Sequence, residues 1–361
     1  MTQLDFKDLI MAFSDAKGAP GFEHEVAKLV TEQSEGLGEI AKDTMGNVYI
    51  DRKGNSEDHS RLLIQLDAHM DEVAFIVHTI MDNGMLTVAP LGGWVAHNVM
   101  AHKMLVRTAD GNYVPGLTVS KPPHYMSEAE KKAGVTIDSV LIDVGTSSYD
   151  ETVALGIEIG EPIVPDVTCT YDEERDLLMG KAFDCRSGCA NMLETMRRLK
   201  DDELEVDVVA AFSTQEEVGT RGAIVTTNAI QPDLAIVFEG CPADDPYVGQ
   251  KAQQSALGKG PNLRHVDAKM ITHPKFQRFT IDIAKANDIL HQRGVRTGGA
   301  TNGGAIHISS QGIPTIVLGV PVRYIHTHYG YAKMIDHEET VRLATEVIRA
   351  LNDSVYDTFS E

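Results

Sequence analysis

Basic residues are scarce in this chain, and the shortage narrows its function first. Thirty-two Lys and Arg stand against 53 Asp and Glu, for a formal charge of −21. Nucleic acid and anionic membranes repel such a surface, so neither is an expected partner. Cysteine is scarce too. Cys169, Cys185, Cys189 and Cys241 are the full set, and none has the paired spacing of a zinc ribbon. They read as small buried thiols in a reducing compartment. No apolar run approaches the length of a membrane span. The first residues, Met1-Thr2-Gln3-Leu4-Asp5, lack the basic and apolar regions of a signal peptide. A cytoplasmic location is the expectation. Convincing repeats and low-complexity segments are absent. The glycine-rich run Thr297-Gly298-Gly299-Ala300-Thr301-Asn302-Gly303-Gly304-Ala305 lacks P-loop spacing, so close backbone approach is a better reading than phosphate binding.

What is present is a chain of 361 residues, enough for roughly two domains. Its hydrophobic content of 42% and charged content of 24% are ordinary for a globular protein. Residues 5–17 and 22–34 predict helices, and 40–52 a strand pair with a turn at Met45-Gly46-Asn47. Arg61 to Asp67 and Val206 to Phe212 are nearly all apolar, as strands buried on both faces would be. Between about Glu72 and Pro165 the texture changes to short β-like runs and turns, which predicts a small β-rich domain inserted into an α/β domain. The β-like runs are 73–80, 85–89, 102–108, 113–119 and 139–144, with short helices at 127–133 and 149–154. Further on, Leu234 to Phe238 and Thr315 to Gly319 predict strands. The segment 250–266 predicts a loop, and 276–293 a strand followed by a helix. A last amphipathic helix carries Val341, Ala344, Val347, Ile348 and Leu351 at helical spacing.

Potential ligands cluster at the ends of the apolar strands, where open α/β sheets place their sites. The first strand runs into His69-Met70-Asp71-Glu72. An imidazole suits zinc or cobalt, and a carboxylate two residues away can orient its ring. Asp184 fits either the N-cap of the following helix or a carboxylate bridging two cations. Glu216 and Glu217 follow the Val206–Phe212 run. Adjacent carboxylates repel and are costly to desolvate together, unless one binds a cation and the other carries a proton. The pair also fits an exposed loop. Glu239 ends another strand. Of His326 and His328, separated by one residue, at most one is expected to face a site. His78, His97, His102 and His124 have no ligand spacing, and His97 is a candidate for lining the entrance. The whole set matches a two-metal hydrolytic site. Adjacent glutamates argue against a glycosidase pair.

Taken together, His69-Met70-Asp71-Glu72-Val73, Phe183-Asp184-Cys185-Arg186, Gln215-Glu216-Glu217-Val218-Gly219-Thr220-Arg221-Gly222 and Tyr324-Ile325-His326-Thr327 resemble the M42 metalloaminopeptidases. These are the tetrahedral (TET-type) enzymes that include glutamyl aminopeptidases. Phe238-Glu239-Gly240-Cys241-Pro242-Ala243-Asp244-Asp245 is similar to the glutamyl branch. The resemblance covers essentially the whole chain. It implies a mixed, mostly parallel central sheet flanked by helices, zinc-peptidase-like, formed by 1–71 and 166–361. Residues 72–165 would be an inserted β-barrel-like domain serving as dimerisation element and lid. It implies two divalent ions, zinc or cobalt, with manganese as a third choice. His69, Asp184 and Glu239 would hold one, and Asp184, Glu217 and His326 the other. Asp71 would orient His69, and Glu216 would be the general base. The substrate would be a peptide and the protein a homo-oligomer, dimers building a tetrahedral dodecamer. An acidic N-terminal residue is one implied preference, with Lys259 or Arg264 as its cation. A broad or leucine-type preference, and an N-acyl amino acid deacylase, are the alternatives. The sequence departs from the family's commoner pattern at Glu239, often Asp, and at Asn302, often Asp.

Overall fold

The computed structural model describes residues 3–54 and 62–360. Arg61, the expected start of a strand, and Met1-Thr2 lie outside the described residues. The central sheet has eight strands in the order Glu39–Lys42, Val48–Arg52, Asp207–Ser213, Leu63–His69, Leu234–Pro242, Thr315–Val322, Asn262–Val266 and Gln292–Val295. The four inner strands, from Asp207–Ser213 to Thr315–Val322, are mutually parallel. Antiparallel partners flank them on both sides. This is the mixed, mostly parallel α/β architecture that the family resemblance implied, built on the expected apolar strands. Ile64 and Leu66 point to one buried face; Gln65 and Asp67, on the other, are buried as well.

The main core lies between this sheet and the helices Phe6–Asp15, His24–Gln33, Phe183–Arg198 and Met334–Ala350. The first helix shows why such segments fold. Asp5 caps it by accepting the Asp8 N–H at 2.8 Å, and Phe6, Leu9, Ile10 and Phe13 form one buried stripe. A smaller cluster, including Ala223, Ala235, Val237 and Val317, fills the opposite face.

Six strands close a separate barrel: Ala74–Ile80, Leu86–Leu91, Lys103–Arg107, Tyr113–Val119, Leu141–Asp143 and Pro162–Pro165. Its interior is apolar, with Phe75, Val77, Leu86, Met104, Val106, Ile142 and Ile163 buried. The last strand was not expected from the sequence. It is four residues long with proline at both ends, a composition that argues against a central strand. It nonetheless pairs with two others and closes the barrel.

Three other expectations need correction. The segment expected to run strand-then-helix has the reverse order, with helix Pro274–Ala286 before strand Gln292–Val295. Pro274 and a His273 side chain accepting the Phe276 N–H start the helix, and Phe276, Thr280, Ile281 and Ala284 give it a buried face. The expected loop 250–266 ends as the strand Asn262–Val266, because two partners pair with it. Asp184 does not end a strand. It lies in the first turn of Phe183–Arg198, with non-helical dihedrals.

Candidate active site

Three parallel strands deliver most of the site to one edge of the sheet. Leu63–His69 ends on His69 itself. Asp207–Ser213 leads into the loop that bears Glu216 and Glu217. Leu234–Pro242 carries Glu239 and runs four residues further than its apolar run suggested. Asp184 enters from the helix and His326 from the loop after Thr315–Val322.

These side chains converge. His69 Nε2 lies 3.2 Å from Asp184 Oδ1, 3.5 Å from Glu239 Oε1 and 3.8 Å from Glu216 Oε2. His326 Nε2 lies 3.1 Å from Asp184 Oδ2 and 3.5 Å from Glu217 Oε2. Asp184 thus offers one oxygen to each imidazole. Two groups form metal-competent sets: His69, Asp184, Cys185 and Glu239, and Asp184, Glu217 and His326, with ligand atoms within 4.8 Å of one another in each. Cys185 was not expected there. Its Sγ donates to the Phe238 carbonyl at 2.9 Å, and burial raises the thiol well above its usual range, so it remains protonated.

The electrostatics suit a site for positive charge. Burial raises the Glu217 carboxyl to about 8 and that of Glu239 to about 7, and nearby Asp184 adds to both. Burial likewise lifts Glu216 well above the carboxylate range. Burial would also raise Asp184, but His326 and His69 outweigh it and hold that carboxyl low. Burial opposes charge on His69, yet hydrogen bonds to Asp184, Asp71 and Glu239 raise the ring well above its ordinary value. His326 is raised to about 10, with Asp184 and Glu217 overcoming the cost of burial. Glu217 Oε1 is buried without a hydrogen-bond partner among the described residues. A donor set of imidazole and carboxylate with one orphaned oxygen suits divalent cations.

Asp71 does more than face His69. Its Oδ1 lies 3.3 Å from His69 Nδ1, which also contacts the Asp71 carbonyl at 3.1 Å. Its two carboxylate oxygens accept the backbone N–H groups of Glu216 and Glu217, each at 3.0 Å. One buried carboxylate therefore ties the histidine strand to the glutamate loop. Behind it, Arg186 donates to the carbonyls of Met70 and Gly18, each at 2.9 Å, and to Ala16. Arg186 and Lys181 both pair with Glu72, at 2.9 and 2.7 Å, so the His69–Glu72 loop is anchored by a fully buried ionic cluster. Asn302 is turned inward as well. Its amide donates to Asp67 at 2.6 Å and to Ser213 at 2.8 Å, beneath the strand ends. An aspartate there would oppose a second buried carboxylate.

The barrel also reaches the site. Gly92 has φ of +94°, and a Cβ there would stand 2.9 Å from Val73 and 3.2 Å from Glu217. A Cβ at Gly93 would stand 3.5 Å from His326 Nδ1. His328 turns away from the site, its ring stacked on His102 with centroids 4.1 Å apart. Of the remaining candidates, Arg264 lines a cavity of about 260 Å³ together with Asp184, Glu216 and Glu239. Arg296 lines it too and was missed, because a loop arginine 32 residues from Arg264 carries no local signal. Lys259 and His97 are exposed, and neither lines this cavity.

A buried carboxylate–imidazole cluster at parallel strand ends, with a barrel against it, defines a hydrolase of the metal-dependent peptidase type. A profile of the M42 glutamyl aminopeptidase family matches residues 46–343. The chain is 30% identical to the glutamyl aminopeptidase of Lactococcus lactis, covering 97% of both chains. It is 31% identical to the lysyl aminopeptidase of Pyrococcus furiosus, covering 95% of this chain and 97% of that one. Among solved structures, a TET aminopeptidase from a marine sediment Thaumarchaeota archaeon superposes with a TM-score of 0.94 at 35% identity, covering 99% and 100% of the two chains. The TET1 peptidase of Pyrococcus horikoshii, described as assembling into a tetrahedron or a large octahedral shell, gives 0.85 at 27% identity, covering 96% and 100%. The chain belongs to the M42 aminopeptidase family, and it is a peptide hydrolase. Among the described residues no helix is long and apolar enough to cross a membrane.

Proposed function

We propose that this protein removes N-terminal residues, acidic ones preferentially, from peptides, using two divalent cations. The observation that carries the reading is Asp184, whose two oxygens each face one histidine of a separate ligand set. His69, Asp184 and Glu239 would hold one ion and Asp184, Glu217 and His326 the other, with zinc, cobalt or manganese all suited to the donors. When bound, the ions supply a water of lowered pKa and polarise the scissile carbonyl. Glu216 accepts the proton of the attacking water and delivers it to the departing amine. Its raised carboxyl, set beside the cluster and held by the Asp71 bond to its backbone, fits that exchange. The anionic cluster favours a free, protonated substrate amine.

The acidic preference rests on Arg264 and Arg296 in the 260 Å³ cavity. Each has a buried Nε without a partner among the described residues. Arg264 is paired with Asp267 at 3.2 Å and Arg296 more loosely with Asp244 at 4.0 Å, so Arg296 is the less neutralised of the two. The barrel within 72–165 serves as the contact element of a cytoplasmic homo-oligomer; the shell-forming TET1 peptidase supports the assembly itself. Hydrolysis of Glu-, Leu- and Lys-p-nitroanilide, with and without each metal, tests the reading. Glu-p-nitroanilide is expected to lead by about 10-fold, and chelation or N-acetylation of the substrate to abolish turnover. Equal rates on all three would sink the acidic preference; cleavage of the acetylated substrate would point to a deacylase.

A further inference from the structure

Two cavities meet at the ligand cluster and share Glu216, Glu217, Ala300 and His326. The smaller, of about 260 Å³, is lined by Glu239, Arg264 and Arg296. The larger, of about 680 Å³, is lined by Thr220, Ile224, Lys269, Ala305 and Ile308. We infer that the larger cavity is the groove for the leaving part of the peptide, built to take an apolar residue directly after the scissile bond, with Lys269 receiving the C-terminal carboxylate of a short product. The inference rests on the aminopeptidase reading and extends it to the other side of the bond.

The volumes carry the polarity. An enzyme that cuts after one residue needs a closed end for that residue and an open path for the rest of the chain. The smaller cavity has room for about one residue and has buried Arg264 in its wall, with Gly298, Gly299 and Ala300 on its exposed side. The larger opens to solvent, since Ile308 is 71% exposed and Ile224 47% exposed. Two large aliphatic side chains left bare beside a cluster of carboxylates form an apolar surface that gains from being covered. Lys269 is exposed and forms no ion pair among the described residues. A Cβ at Gly304 would stand 2.7 Å from Lys269 Cβ, so the lysine stem lies against the short helix Gly303–Ile306. In a chain of net charge −21, an unpaired lysine in the wall of a largely apolar groove is suited to receive a carboxylate.

The test compares Glu-Leu, Glu-Gly and Glu-Leu-amide in the full-length, metal-loaded protein. Glu-Leu should exceed Glu-Gly in kcat/KM by about 10-fold or more, and exceed its own amide by roughly 5-fold. Ile308→Asp and Ile224→Ser should each bring the Leu-to-Gly ratio towards one, and Lys269→Ala should remove the acid-to-amide ratio alone. Calorimetric binding of the same dipeptides to Glu216→Gln should give the same ranking without turnover. A Leu-to-Gly ratio of one in the wild-type protein, or a ratio unmoved in both isoleucine variants, would overturn the groove. Loss of the Glu preference strikes only the acidic reading, because the Leu-to-Gly comparison is repeated on whichever N-terminal residue is cleaved fastest. Absence of all cleavage strikes the aminopeptidase reading, and the binding ranking then decides the groove by itself.

Discussion

The sheet edge and the barrel meet at His326, yet they contribute in different ways. The sheet edge supplies functional side chains: an imidazole and carboxylates at strand ends, held by Asp71 and by the Glu72, Lys181 and Arg186 cluster. Nearly every group there is buried and paired, and removing one leaves another exposed to the cost of an unpaired buried charge. The barrel supplies shape. Its own polar contacts are local, such as Thr118 Oγ1 with the carbonyls of Val99 and His102, and Arg107 with Glu161 at 2.6 Å. At the site it offers the backbone of Gly92 and Gly93, residues with no side chain at all. A region can therefore complete an active site without contributing one reactive group.

The largest expected effect lies on the sheet side. Glu216→Gln should lower kcat by on the order of 10³ while metal content, read by elemental analysis, stays the same; full activity would remove Glu216 as the base. Asp71→Ala should come next, with activity or metal affinity down by roughly 10², because the histidine and both glutamate N–H groups lose their common acceptor. Metal titration of that variant checks it, and wild-type affinity together with wild-type kcat would dissolve the link between strand and loop.

The barrel side should respond more weakly and only at the loop. Gly92→Ala adds a Cβ facing Glu217 and should cost on the order of 10-fold in kcat/KM, less than a 1 Å displacement of a reacting group would. Gly145→Ala is its control. Gly145 also has a positive φ, +81°, but a Cβ there meets nothing within 4 Å. Equal loss in both variants would assign the effect to backbone strain rather than to contact with the site. The smallest effect is expected for Thr118→Val. It should lower stability by about 1 kcal/mol, seen in a thermal melt, and leave kcat/KM unchanged. A fall in activity there would show that the barrel transmits its interior packing to the site.

The same contrast explains what was legible. The strand-end ligands stood out because apolar runs announce buried strands, and polar residues at their ends are conspicuous. Asp71 could be paired with His69 from spacing, but its bonds to the backbone of Glu216 and Glu217 join segments about 145 residues apart and leave no local mark. The strand Pro162–Pro165 and the strand Asn262–Val266 were illegible because pairing partners, not their own composition, make them strands. The helix Pro274–Ala286 was misread by order, although its proline and its buried spacing were present in the sequence.

By itself, the sequence determined the class of fold, the imidazole and carboxylate inventory and the net negative charge. Periodicity and residue chemistry are local properties, and they survive in a one-dimensional string. The tertiary structure decided which oxygen faces which histidine, that Arg296 joins Arg264 while Lys259 stays outside, that Asn302 serves buried Asp67, and that two glycines of the barrel close against Glu217 and His326. Those outcomes depend on the separation of groups far apart in the chain, which only the packing of sheet, helices and barrel fixes.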